Sequence, residues 1–73
     1  MKRGVYDYRG EVFAYADGEY LYDLDGKHTG YISRTAVYDL RRERIWHRDR
    51  DGLYDLHWQS IGYIGSTDHD DQR

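Results

Sequence analysis

A hydrophobic-Tyr-Asp-hydrophobic tetrad recurs four times along this chain at an unbroken spacing of 16 residues. It reads Val5-Tyr6-Asp7-Tyr8, Leu21-Tyr22-Asp23-Leu24, Val37-Tyr38-Asp39-Leu40 and Leu53-Tyr54-Asp55-Leu56. A second landmark holds the same register: Ala14-Tyr15-Ala16, Gly30-Tyr31-Ile32, Trp46-His47-Arg48 and Gly62-Tyr63-Ile64. A repeat this short is one supersecondary unit that cannot bury its apolar face alone, so neighbouring units must bury it together.

Each unit reads as a β-hairpin. The tetrad is the first strand, and a turn of three residues follows: Arg9-Gly10-Glu11, Asp25-Gly26-Lys27, Arg41-Arg42-Glu43 and His57-Trp58-Gln59. Asp25-Gly26 is the strongest turn signal, because glycine supplies the positive φ that tight hairpins need. The second strands are expected over 12–16, 28–32, 44–48 and 60–64, with Asp17-Gly18 and Asp51-Gly52 marking two of the links between units. Side chains alternate along a strand, so the tetrad's Tyr shares a face with the hydrophobic residue two places on, and Val/Leu shares the other with Asp. An Asp beside a turn is expected to accept hydrogen bonds from that turn's N–H groups. The small residue at Ala14, Gly30 and Gly62 predicts a close approach to a neighbouring unit, and Trp46 in its place requires the third unit to pack differently.

No segment carries convincing helical periodicity, so the fold class is all-β: four tandem hairpins in pseudo-four-fold order, as a flower of hairpins or a small closed barrel. Closure would remove the exposed sheet edges. The 73 residues form one domain, with units at 5–20, 21–36, 37–52 and 53–68 and a solvated, frayed tail at 69–73. A chain of this length buries only about 60% of its unfolded surface. It has no cysteine, so neither a disulfide nor a thiolate metal site can staple it, and a partner chain is the most available support.

The run of [Val/Leu]-Tyr-Asp-[Tyr/Leu] units, four in a row from Val5 to about Asp68, resembles the four-fold β-flower domains of bacteria. The resemblance implies four hairpins around a pseudo-four-fold axis and carries no established activity with it. The third and fourth units depart from the pattern by lacking the turn glycine.

Several residue sets invite a functional reading, each beside a plainer one. Asp7, Asp23, Asp39 and Asp55 would form a carboxylate ring for a hard cation if they faced the axis, or cap their own turns; no cofactor is expected. Tyr6, Tyr22, Tyr38 and Tyr54, with Trp46, are candidates for a subunit interface or for core packing. Tyr15, Tyr31 and Tyr63 would join such an interface. The third unit, Arg41 to Asp51, holds five arginines against three acids. Its Arg42, Arg44, Trp46, His47 and Arg48 form a candidate anion site, or a salt-bridged surface. Ligand use expects an exposed Trp46 flanked by free arginines. His28, His47, His57 and His69 hold no equivalent positions in the repeat, and no nucleophile, phosphate-loop or zinc-protease motif is present.

A net charge of −3 weighs against nucleic acid as the main partner, since phosphate neutralisation leaves a basic footprint. No apolar run approaches the ~20 residues of a membrane helix, and no apolar signal segment opens the chain, so a cytoplasmic, membrane-free location is expected. The favoured function is a non-enzymatic structural or protein-interaction module that self-associates as a dimer or higher homo-oligomer, with an unidentified protein partner also open. The alternative is a module binding an anionic ligand or nucleic acid through the third unit.

Overall fold

A computed structural model describes residues 2–66; the tail read as frayed, 69–73, and the last two residues of the fourth unit lie outside them. The elements are β1 (Lys2–Asp7), β2 (Val12–Asp17), β3 (Tyr20–Tyr22), β4 (His28–Ile32), β5 (Ala36–Asp39), β6 (Arg44–Asp49), β7 (Gly52–Tyr54) and β8 (Ser60–Ile64). They form a closed antiparallel barrel in chain order, β8 returning to pair with β1 through Val5↔Ile64, Tyr6↔Tyr63 and Asp7↔Gly62. Of the two arrangements expected, the chain adopts the barrel, and no strand edge is left open. No helix of the described residues is long and apolar enough to cross a membrane.

Every hairpin is built by one local device. The Asp that ends the first strand or directly follows it accepts, on Oδ1, the N–H groups two and four residues on: Arg9 and Glu11 on Asp7 at 2.8 and 3.0 Å, Asp25 and Lys27 on Asp23 at 2.9 and 2.9 Å. Arg41 and Glu43 donate to Asp39 at 2.8 and 3.0 Å, and His57 and Gln59 to Asp55 at 2.8 and 2.9 Å. The expectation that the repeat Asp holds its own turn is met four times over. One consequence corrects the reading of the tetrad as a full strand. The chain reverses directly after the Asp, so the fourth tetrad residue lies in the turn and not on the tyrosine's face.

The turn closes on a residue in the left-handed region. It is Gly10 (φ 85°) and Gly26 (φ 84°) in the first two units, and Arg42 (φ 68°) and Trp58 (φ 65°) in the others. The absent glycines therefore leave the backbone geometry intact. The side chains return some of the cost of that conformation. Arg42 lies over the Tyr31 ring at 4.2 Å, and Trp58 stacks on His47 with ring centroids 4.0 Å apart and planes 3° from parallel.

Within each hairpin the register slips by one residue after the Val or Leu: Val5 faces Ala14 but Tyr6 faces Val12, and the same step recurs in the other three units. The extra residues are Phe13, Thr29, Ile45 and Ile61, and the three apolar ones pack against the core. A bulge lets two consecutive side chains serve the interior and sharpens the bend a small barrel needs. The interior is aliphatic. Val5, Leu21, Val37 and Leu53 are 0–4% exposed, joined by Ala14, Ala16, Ile32 and Ile64. The tetrad tyrosines stand on the outer wall, half-buried. Core packing of their rings, one of the readings above, gives way to an outer girdle of cross-strand pairs between units: Tyr15↔Tyr22, Tyr31↔Tyr38, His47↔Tyr54 and Tyr63↔Tyr6.

The junctions between units alternate. Gly30 pairs with Asp39 and Gly62 with Asp7, whereas the ladders after Ala14 and Trp46 start one residue later, at Tyr15 and His47. A Cβ at Gly30 would fall inside the carbonyl oxygen of Tyr38, and one at Gly62 inside that of Tyr6. The close approach expected from small residues is thus present where the residue is glycine. A Cβ in the first unit and the indole in the third coincide with a shorter ladder. Asp51-Gly52 is not the link turn itself: the turn is Arg50-Asp51, with Arg50 at φ 59°, and Gly52 opens β7. That glycine leaves room for the Tyr54 ring, whose hydroxyl would sit 2.9 Å from a Cβ.

Gly30→Ala and Gly62→Ala are each expected to lower stability by about 1–3 kcal/mol in urea unfolding, while Ala14→Gly costs less than about 1 kcal/mol. Equal losses at all three would contradict the alternating junctions. Trp58→Gly is expected to be less destabilising than Trp58→Ala by about 1 kcal/mol, because both lose the stack on His47 and only glycine relieves the left-handed backbone.

Candidate functional site

In a meander of hairpins the four turns gather at one end of the barrel and the links at the other. At the turn end, the fourth tetrad residues Tyr8, Leu24, Leu40 and Leu56 are 73%, 55%, 52% and 49% exposed. These four equivalent, exposed side chains crown the four turns, Leu24 beside Tyr15 and Tyr22 and Leu40 beside the turn of the second unit. Phe13 and Trp46, from the first and third units, meet edge-on at 6.0 Å, 72° apart, and both pack partly buried against the core cluster. Trp46 lies on the inner face, because it pairs with the buried Val37. The exposed Trp46 that ligand use of the third unit expects is therefore not what the barrel presents.

The arginines of the third unit separate onto different faces. Arg48 pairs with Leu53 and so occupies the interior position held by Ala16, Ile32 and Ile64 elsewhere. Its guanidinium donates to Arg50 O at 2.7 Å and Ser33 O at 3.1 Å, and lies 3.8 Å from Asp51. Burial pulls its pKa down, Asp51 opposes that, and the neighbouring Arg3 adds to it. Arg3 donates to Gly65 O at 2.7 Å and to Asp51 at 2.9 Å, tying the first strand to the end of the last. Arg44 hydrogen-bonds Tyr38, which with Ser33 holds that phenol below its ordinary pKa. His47 lies under Trp58. The five candidates for an anion site are therefore not one constellation.

The second and third units nevertheless frame an open groove of about 680 Å³. Arg42 and Arg48 from the third unit line it, with Tyr20 on β3, Tyr31 on β4, Glu19 from the β2–β3 link and Arg34 from the β4–β5 link. Tyr20, 47% exposed, is tilted against Tyr31 at 6.0 Å. Among the described residues, the Arg34 and Arg42 side chains make no hydrogen bond or ion pair, so their donors are unspent. Sequence reasoning named Arg42 and Arg48 but missed Glu19, Tyr20 and Arg34, which the pairing of β4 with its neighbours β3 and β5 brings beside them. It also missed the crown, although an apolar residue directly after a turn-capping Asp signals a turn-tip position.

The repeat aspartates each spend Oδ1 inside their own turn, and among the described residues no group of three His, Asp or Glu is placed to hold a metal ion. Asp55 is held below the ordinary carboxylate pKa chiefly by the Gln59 N–H, against some desolvation, with the His57 N–H and the charges of His57 and His47 adding. A depressed folded-state pKa contributes stability that is complete above the unfolded value of about 4 and is lost as pH falls through the folded one. The melting temperature is therefore expected to drop below about pH 4, and Asp55→Asn to make that drop shallower. An unchanged acid profile in this variant would show that the turn carboxylate contributes nothing.

No curated protein and no solved structure matches the chain. The family model described as 4-fold beta flower protein matches residues 3–66, almost the whole described barrel, and with four bulged hairpins closing around one aliphatic axis the chain belongs to that family.

Proposed function

We propose that this chain is a non-enzymatic structural and protein-interaction module that self-associates through the turn end of its barrel. The observation that carries the reading is the crown of Tyr8, Leu24, Leu40 and Leu56, four equivalent apolar side chains about half exposed or more. Single surface leucines need no explanation, but three of them and a tyrosine at the same place on four turns offer apolar area to a contact surface. The rim around it mixes signs, with Arg9, Glu11, Asp25, Lys27, Arg41 and Glu43 on the same turns. Two copies meeting turn end to turn end would bury the crowns in an isologous contact with opposite charges available at the rim. The tetrad tyrosines, half covered by their own neighbours, would border this contact and not form its centre. Burial of the crown would also supplement the thin aliphatic interior.

Light scattering of the pure protein over a tenfold dilution is expected to give a mass near twice the 8.8 kDa of one chain. The triple variant Leu24→Ser, Leu40→Ser, Leu56→Ser is expected to run as a folded monomer by the same method, with an unchanged circular dichroism spectrum. A wild-type monomer at every concentration would overturn the proposal. So would a variant that keeps the oligomeric mass.

A further inference from the structure

We infer that the groove between the second and third units is a binding site for a mononucleotide-class ligand, a phosphate joined through a hydroxylated sugar to a flat ring. Three features point there together.

Arg42 occupies a turn position where the first two units have glycine, and its backbone stays left-handed at φ 68°. The Asp39 turn sets that conformation, and a non-glycine residue there carries a side chain that the first two units lack. This side chain lies over the Tyr31 ring at 4.2 Å. The position over the ring holds the guanidinium in the groove, where its N–H donors can bind an anion. Arg34 supplies a second set of unspent donors on the same groove. Arg48 adds positive charge, although its hydrogen bonds to Arg50 O and Ser33 O fix it as part of the wall.

The groove is also too large and too aromatic for a bare inorganic anion. Its volume of about 680 Å³ lies in the range of small-molecule sites, roughly 300–1,000 Å³. Tyr20 presents an exposed ring on which a flat heterocycle can stack. Among the described residues, Glu19 is the one carboxylate lining the groove. It would repel a phosphate but accept hydrogen bonds from sugar hydroxyls, which places the sugar on its side and the phosphate beside Arg34 and Arg42.

The test is a titration of the ¹⁵N-labelled full chain with adenosine monophosphate, ribose 5-phosphate and inorganic phosphate, followed by NMR. The Arg34 and Arg42 Nε–H signals and the Tyr20 ring are expected to shift saturably with the nucleotide at a Kd of about 0.1–1 mM. The two ring-free phosphates are expected to bind at least tenfold more weakly. Arg42→Gly, which installs the residue of the equivalent turns and keeps the fold, is expected to weaken nucleotide binding at least tenfold, while Arg41→Ala leaves it unchanged. No saturable shift by about 10 mM nucleotide would overturn the inference. Equal affinity for inorganic phosphate, or binding that survives Arg42→Gly, would also do so.

Discussion

A carboxylate oxygen accepting two N–H groups from its own turn is a modest interaction, exposed to water and worth little by itself. Here it occurs four times at the same position of the repeat, and most of the architecture follows from it. The Asp ends the first strand or directly follows it, so the chain reverses at a set place. The residue after it is lifted to the turn tip, which produces the apolar crown. The residue three places after it takes a left-handed conformation and lies above the preceding unit's outer wall. In the first two units that position is glycine and adds no side chain. In the others Arg42 and Trp58 use it to reach back across a unit boundary, so one local turn both closes a hairpin and couples neighbours.

The interior obeys a different constraint. Eight short strands leave room along the axis for small aliphatic side chains, and Val5, Leu21, Val37 and Leu53 fill it. The tyrosines are too large for that space and have a hydroxyl to satisfy, so they stand outside and pack across the boundaries between units. The bulges at Phe13, Thr29, Ile45 and Ile61 reconcile the two layers, since they bend the strands enough to close while directing extra apolar groups inward. Glycine at two of four junctions and larger residues at the other two reduce the four-fold order to an alternating one. Phe13 and Trp46, from the units without that glycine, fill the space between them at the turn end.

A barrel this small offers function only on its surface. Its two unspent assets are distinct in chemistry and position: exposed apolar side chains on the four turns, and a basic, aromatic groove on the wall between the second and third units. The first repeats in all four units and suits self-association. The second depends on residues that break the repeat, Arg42 and Arg34 above all, and suits recognition of a particular ligand. Repetition builds the scaffold, and departures from it carry the individuality of this chain.

The repeat, the hairpins, the turn role of Asp7, Asp23, Asp39 and Asp55, and the close approach at Gly30 and Gly62 were legible in the sequence. Each rests on local geometry or on a spacing that one strand period dictates. The fate of the tetrad's fourth residue was legible in principle, because a capped turn begins at the Asp. Whether the hairpins close was not. Closure depends on β8 meeting β1 across nearly the full length of the chain, which no local signal encodes. Nor was the placement of the third unit's basic and aromatic residues. Trp46 turns inward, Arg48 enters the wall and Arg42 lies over Tyr31, because the bulge and the barrel's curvature decide which face each strand position presents. Local pattern is enough to specify a four-unit hairpin protein; which of its aromatic and arginine side chains meet depends on the register and curvature of the paired strands, which place residues of neighbouring units against each other.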